Sequence, residues 1–197
     1  MANPYYPNSV YVAAGGIGCA NTSKCSYIFR LIFDSTKITH TQMDFNFGWD
    51  GSRLSAMAYS EINTDYIYCL TSKGRFYYSS TKGETFDSTE NFKGPDAHYF
   101  YGSSILPSKK KLGRLYIAGS GYSNCGFWLS DDHGMTFSKA DSGLPATLIH
   151  KIAMSEDENY IFAATEAGPF VYVVPQKRWF IMSNAVSPDQ NFWSVEY

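Results

Sequence analysis

The sequence predicts an all-β chain, a β-propeller of about four blades with four antiparallel strands each, on three observations. Helix signals are nearly absent, since no window sustains apolar residues at i, i+3, i+4 and i+7 behind a capping residue. Short runs rich in Val, Ile, Tyr and Phe recur instead, separated by Gly, Ser, Asn and Asp. β-branched and aromatic side chains of this kind fit a pleated, half-buried surface. Similar segments also return about every 40 to 50 residues, the period of a propeller blade.

In chain order, Val10-Tyr11-Val12-Ala13-Ala14 is the first strand and Tyr27-Ile28-Phe29-Arg30-Leu31 the next. Leu54–Tyr59 opens a second unit, continued by Tyr66–Leu70 and by Gly74-Arg75-Phe76-Tyr77-Tyr78. His98–Ser103 opens a third, with Leu115–Ala118 and Gly126–Leu129 after it. Leu148–Ala153 opens a fourth, followed by Tyr160–Ala164, Pro169–Val173 and Trp179-Phe180. Ser79 and Ser130 are 51 residues apart, Phe127 and Phe170 are 43 apart, and Phe29 precedes Phe76 by 47. The first unit lacks an opening strand, whereas Asn191–Tyr197 looks like one with nothing after it. The expectation is therefore one domain over 1–197, with blades at about 1–50 plus a closing strand at 192–197, then 51–95, 96–145 and 146–190. Pairing 192–197 with 9–14 would remove a sheet edge and close the ring. The alternatives are a partial ring, or a ring completed by a second copy.

Two segments carry a resemblance. Ser130-x-Asp132-x-Gly134-x-Thr136-Phe137 matches the Asp-box, or BNR repeat, and Ser79-x-Thr81-x-Gly83-x-Thr85-Phe86 matches it except at Thr81, where Asp is expected. Hydroxyl and carboxylate oxygens would accept turn amides, glycine would supply positive φ, and the final ring would enter the core. Thr81 is the weaker acceptor, so its turn should be the looser one. The fourth unit keeps only the aromatic end, at Trp179 and Phe180. The chain thus resembles the Asp-box β-propellers, which include sialidases, xyloglucan-cleaving glycosidases and sortilin-type receptor domains. The resemblance implies blade architecture and no active site, and it implies that the box residues are structural.

Composition narrows the partners. The 197 residues carry 16 Lys+Arg against 18 Asp+Glu, a net charge of -2, which argues against nucleic acid as the main partner. No apolar run approaches the roughly 18 residues of a membrane span. Charged residues are 17% and aromatic residues 17%, so rings replace much of the usual charge. The N-terminus lacks the basic start and apolar stretch of a signal peptide. A cytoplasmic location is expected for an intact N-terminus, and a secreted or extracytoplasmic one for a trimmed N-terminus. Cys19 and Cys25 flank a polar loop and could close a short bridge, with free thiols as the alternative. Asn21-Thr22-Ser23 is a glycosylation-type triplet.

Little in the sequence points to chemistry. The arginines are Arg30, Arg53, Arg75, Arg114 and Arg178, and Arg30 and Arg75 share one blade position, so a sialidase arginine triad is not expected. A glycosidase needs only two acids across a cleft, and Asp44, Asp50, Asp96 and Asp189 lie near unit boundaries. His40, His98, His133 and His150 have no partner at metal spacing, so neither metal nor cofactor is expected. His133 falls in a turn and is expected to be solvated. Lys109-Lys110-Lys111 reads as a solvated hairpin tip, with a basic contact patch as the other reading. The candidate ligand site is the channel mouth, where opening strands begin, and there the residues are Arg53, His98, Tyr99, His150 and Trp193. Rings with a few polar donors suit a glycan or protein ligand. The expected function is a non-catalytic recognition or assembly module, and the alternative is an Asp-box-type glycoside hydrolase using carboxylates at the mouth.

Overall fold

The computed structural model describes residues 8–15, 26–95, 102–183 and 191–197. Among these residues four antiparallel sheets follow one another. The first comprises β1 (Ser9–Gly15), β2 (Ser26–Phe33) and β3 (Ile38–Gln42), in that spatial order. The second comprises β4 (Leu54–Tyr59), β5 (Ile67–Thr71), β6 (Phe76–Ser79) and β7 (Asp87–Ser88). The third comprises β8 (Gly102–Pro107), β9 (Leu115–Gly119), β10 (Phe127–Ser130) and β11 (Ser138–Lys139). The fourth comprises β12 (Ile149–Met154), β13 (Tyr160–Thr165), β14 (Gly168–Val173) and β15 (Arg178–Ile181). Each of the last three is a meander whose strands neighbour in sequence order, as short hairpin loops favour. β4 packs beside β8, and β8 beside β12, so the opening strands form the inner wall.

Side-chain alternation along each strand joins one sheet to the next. Tyr11 and Ile28 of the first sheet meet Ile67, Cys69 and Tyr77 of the second. From the opposite face of the second sheet, Tyr68, Leu70 and Phe76 meet Leu115 and Ile117 of the third. Tyr116, Ala118 and Phe127 then meet Ile161, Ala163, Phe170 and Tyr172 of the fourth. Every inner sheet is thus apolar on both faces, which explains runs such as Ile67-Tyr68-Cys69-Leu70 with no polar interruption. Aromatic content accumulates in these junctions. Phe86 lies 4.8 Å from Phe47, Phe137 4.9 Å from Phe76, and Trp179 4.8 Å from Phe127, all edge-on. Phe180 occupies the other face of β15 and stays 40% exposed.

Two details repeat with the blades. The pairing of each opening strand shifts register between Leu54 and Ala56, between Gly102 and Ser104, and between Ile149 and Lys151. These are β-bulges near the start of the strand, a device that re-aims side chains. A buried serine also follows each opening strand, at Ser60, Ser108 and Ser155. Their amides donate to Tyr66, Arg114 and Tyr160 carbonyls at 2.9–3.0 Å. Their hydroxyls accept from Asn63, Lys111 and Tyr160 amides at 3.3, 2.8 and 3.1 Å.

The described contacts of residues 191–197 are with the fourth sheet. Among the described residues β1 forms its ladder with β2. The Phe192 amide donates to the Thr165 carbonyl, at the end of β13, at 3.0 Å. Lys151 Nζ reaches Glu196 at 3.1 Å, and the Tyr197 ring stacks 6.0 Å from Phe162. The third and fourth sheets make a comparable contact, a bridge between Ser120 and Leu148. These contacts hold residues 191–197 against the fourth sheet without a strand ladder.

Candidate functional site

In each meander the start of the opening strand, the second-to-third strand turn and the chain leaving the fourth strand share one end. At that end the 43–53 segment carries Trp49, 56% exposed. Its indole Nε1 donates to the Tyr77 hydroxyl at 3.1 Å. The Arg75 guanidinium lies 4.6 Å over the indole ring, while its Nε meets Asp50 Oδ2 at 2.7 Å. Asp50 Oδ1 also accepts the Ser52 amide at 2.9 Å, and its carbonyl accepts from Lys73 Nζ at 2.5 Å. Burial pulls the Asp50 carboxyl up, but the Ser52 and Arg75 bonds outweigh it and hold the group below its ordinary value. Asp50 is therefore a fixed anion that orients Arg75. An open cleft of about 480 Å³ lies alongside, lined by Gly51, Arg53, Leu54, Ser55, Ser72 and Lys73.

On the fourth blade His150 occupies the bulge of β12. Its ring sits 4.3 Å from Trp193, and Nε2 is 3.0 Å from Asn191 Oδ1. Between the third and fourth blades the Tyr122 hydroxyl donates to Glu166 Oε2 at 2.6 Å. The structure thus brings His150 and Trp193 together and places Arg53 on the second blade. His98 and Tyr99 lie outside the described residues, as do Asp96, Asp189, Cys19, Cys25 and the Asn21-Thr22-Ser23 triplet. The Trp49–Arg75–Asp50–Tyr77 group was not among the sequence candidates as a unit. Its one sequence signal is an aromatic beside the boundary carboxylate Asp50.

The two serine-opened turns sit at the other end. Ser130 Oγ accepts the Gly134 amide at 2.8 Å and donates to Asp132 Oδ1 at 2.8 Å. Asp132 Oδ1 accepts the Thr136 amide at 2.9 Å, and Oδ2 accepts the Thr136 hydroxyl at 2.5 Å. In the other turn Ser79 Oγ accepts the Gly83 amide and Thr81 Oγ1 the Thr85 amide, both at 2.9 Å. Thr81 thus preserves the bonding scheme with one oxygen fewer and longer contacts, Ser79–Thr81 at 3.3 Å against 2.8 Å for Ser130–Asp132 and Thr81–Thr85 at 2.9 Å against 2.5 Å for Asp132–Thr136.

His133 corrects an expectation. It is not simply solvated: its ring stacks 3.8 Å from Tyr66, and Nδ1 lies 2.9 Å from the Tyr68 hydroxyl. Burial holds its pKa below the ordinary value, against the pull of Asp132. The lysine run stays exposed at a hairpin tip, where Lys109 pairs with Glu61 at 3.1 Å and Lys111 with Asp131 at 3.0 Å. Glu158 accepts the Ser108 hydroxyl at 2.5 Å and the Lys109 amide at 2.6 Å, joining neighbouring blades. Cys69 and Cys125 are buried thiols, and burial pushes the Cys125 thiol up to about 12. Among the described residues no group of three or more His, Cys, Asp or Glu could hold a metal. No described helix is long and apolar enough to cross a membrane.

Sequential antiparallel meanders packed face against face, with their opening strands along one wall, define a β-propeller chain. Comparison with known structures agrees. The chain matches the GH74 xyloglucanase from Xanthomonas campestris at TM-score 0.68 and 14% identity, over 96% of this chain and 31% of that one. The GH74 enzyme of Niastella koreensis matches at TM-score 0.64 and 17% identity, over 90% and 28%. YCF48 bound to D1 peptide matches at TM-score 0.55 and 8% identity, over 91% and 60%. The chain spans less than a third of the length of the two GH74 proteins, and at these identities the likeness shows the fold. No protein-family model and no curated protein matches the sequence.

Proposed function

We propose that this chain is a non-catalytic β-propeller recognition module that binds a glycan or protein ligand where its opening strands begin. The observation that carries this reading is Trp49, an exposed indole held in place by Arg75, Asp50 and Tyr77. A fixed ring loses little freedom on binding, and its open face suits a sugar ring or a peptide side chain. The His150–Trp193 pair on the fourth blade offers a second stacking surface at the same end. The candidate ligand residues remain Arg53, His98, Tyr99, His150 and Trp193, to which Trp49 and Arg75 are added. The neighbouring structures supply both ligand classes, since two are xyloglucan-cleaving or related GH74 enzymes and one holds a peptide. The serine-opened turns support membership of the Asp-box propellers, with Ser79, Thr81, Gly83, Thr85, Phe86, Ser130, Asp132, Gly134, Thr136 and Phe137 as structural residues.

The alternative is a glycoside hydrolase working through carboxylates at the mouth. A glycosidase acid needs a raised pKa. Asp50 is shifted the other way by its bonds to Ser52 and Arg75, so in such a pair it would be the ionised partner and not the acid. The test is calorimetric titration with xyloglucan oligosaccharides and peptide pools, with reducing ends measured in parallel. Binding weakened at least tenfold by Trp49→Ala, with no new reducing ends, is the expected result. Turnover abolished by Asp50→Asn would establish the hydrolase instead.

A further inference from the structure

The two outer sheets expose, on one face each, positions that the inner sheets bury. Tyr68, Tyr116 and Phe162 hold equivalent places, opposite Ala58, Leu106 and Ala153 of their opening strands. Tyr68 and Tyr116 are each 1% exposed because the following sheet covers them. Among the described residues no sheet follows Phe162, which is half-buried and meets Tyr197. Its face continues through Val171 to Phe180, and through Tyr160 to Val173. Tyr160 and Phe180 are 44% and 40% exposed.

The first sheet shows the complementary situation. Tyr11 and Ile28 face the second sheet, so Val10, Val12, Phe29 and Leu31 face away, as their cross-strand pairs Val10–Leu31 and Val12–Phe29 require. Phe33 and Ile38, opposite one another, extend that face. Val12, Phe33 and Ile38 are 40%, 40% and 63% exposed. The corresponding faces of the second and fourth sheets are buried, with Ile67 at 2% and Ile161 at 0%.

We infer that these two faces bind each other between two copies of the chain, fourth sheet of one against first sheet of the other, twice over. Every junction inside the chain joins a following face to a preceding face, and the chain presents one more of each kind. The two do not cover one another within the chain, since Val12 and Phe180 are both 40% exposed. Apolar area of this kind on both ends of a repeat array is what stacked neighbours cover. Residues 191–197 lie against the fourth sheet, and the incoming first sheet has three described strands where the others have four. Two copies joined head to tail close a ring of eight sheets by a two-fold operation. This goes beyond the ligand reading, and it stands or falls by mass and not by ligand binding.

The test is sedimentation equilibrium of the full chain over a hundredfold range of concentration. A species of twice the 22.1 kDa chain mass is expected, reduced to monomer by Phe180→Glu and by Val12→Glu alike. Both positions are exposed, so cooperative melting should survive. Hydrogen exchange of the unsubstituted protein gives a second readout, with protection of 8–15 and 160–181 rising as dimer forms. A monomer at every concentration, a dimer indifferent to both substitutions, or open-ended polymers would overturn the inference.

Discussion

At the scale of single residues, the contacts that matter are those a side chain makes outside its own blade. His133 lies in a tight turn at φ 64°, yet its ring stacks on Tyr66 and meets the hydroxyl of buried Tyr68. Its Cβ carries the ring into the preceding blade, so His133→Ala should cost about 1–3 kcal/mol, much of it from leaving Tyr68 unsatisfied. Because burial lowers the folded-state pKa, the neutral ring is favoured on folding. That contribution is fully present above the unfolded value of about 6.5 and is lost as pH falls below it. Thermal melting should therefore fall more steeply between pH 6.5 and 5 in the unsubstituted protein than in His133→Ala. Parallel curves would refute the assignment. Asp131 also loses its contribution on acidification, but there the charged form is the favoured one. Arg114 at 2.7 Å and Lys111 at 3.0 Å hold its carboxyl at about 2. Its contribution is present above the unfolded value and lost as pH drops through about 2. The pair is well exposed, so Asp131→Asn should cost less than about 1 kcal/mol at neutral pH, read from urea midpoints.

At the scale of the element, the serine-opened turns act as wedges between blades. Gly83 and Gly134 have nearly the same φ, 85° and 87°, so an added methyl strains both backbones alike. Their neighbours differ. A Cβ at Gly83 meets the flexible end of Met43 at 2.6 Å, whereas one at Gly134 runs into the Phe76 ring. Gly134→Ala should therefore destabilise by about 1–3 kcal/mol more than Gly83→Ala, and equal midpoints would show that the wedge is not tight. The strands themselves were legible because β-branched and aromatic runs need both faces buried. The turns were legible because their serine, glycine and final ring stand at fixed local spacing. His133 was misread because its partners lie 65 and 67 residues away, across a blade junction. The buried serines at 60, 108 and 155 do carry a sequence signal, recurring at intervals of 48 and 47 after each opening strand. The bulges carry none, since a register shift leaves no residue preference in Leu54-Ser55-Ala56 or Ile149-His150-Lys151.

At the scale of the molecule, the repeat period predicted the blades but not their closure. Strand arithmetic suggests pairing 192–197 with 9–14, and the described contacts of the tail are with Thr165, Lys151 and Phe162 of the fourth blade. Closure depends on how far each sheet turns relative to its neighbour, and no local motif encodes that angle. The site was legible to a similar degree. The strand starts point to the mouth as the candidate site, and of its expected residues the structure sets His150 beside Trp193. Trp49 stayed hidden because its support comes from Arg75 and Tyr77, on the following blade. The most direct measurement is ligand capture on oligosaccharide and peptide arrays. The double variant Trp49→Ala/Trp193→Ala would be compared with the unsubstituted protein at equal folded fraction, and captured ligands recovered for mass spectrometry. The proposed recognition module predicts signals that disappear in the variant and ligands recovered whole. Unchanged signals, or ligands recovered cleaved, would contradict it.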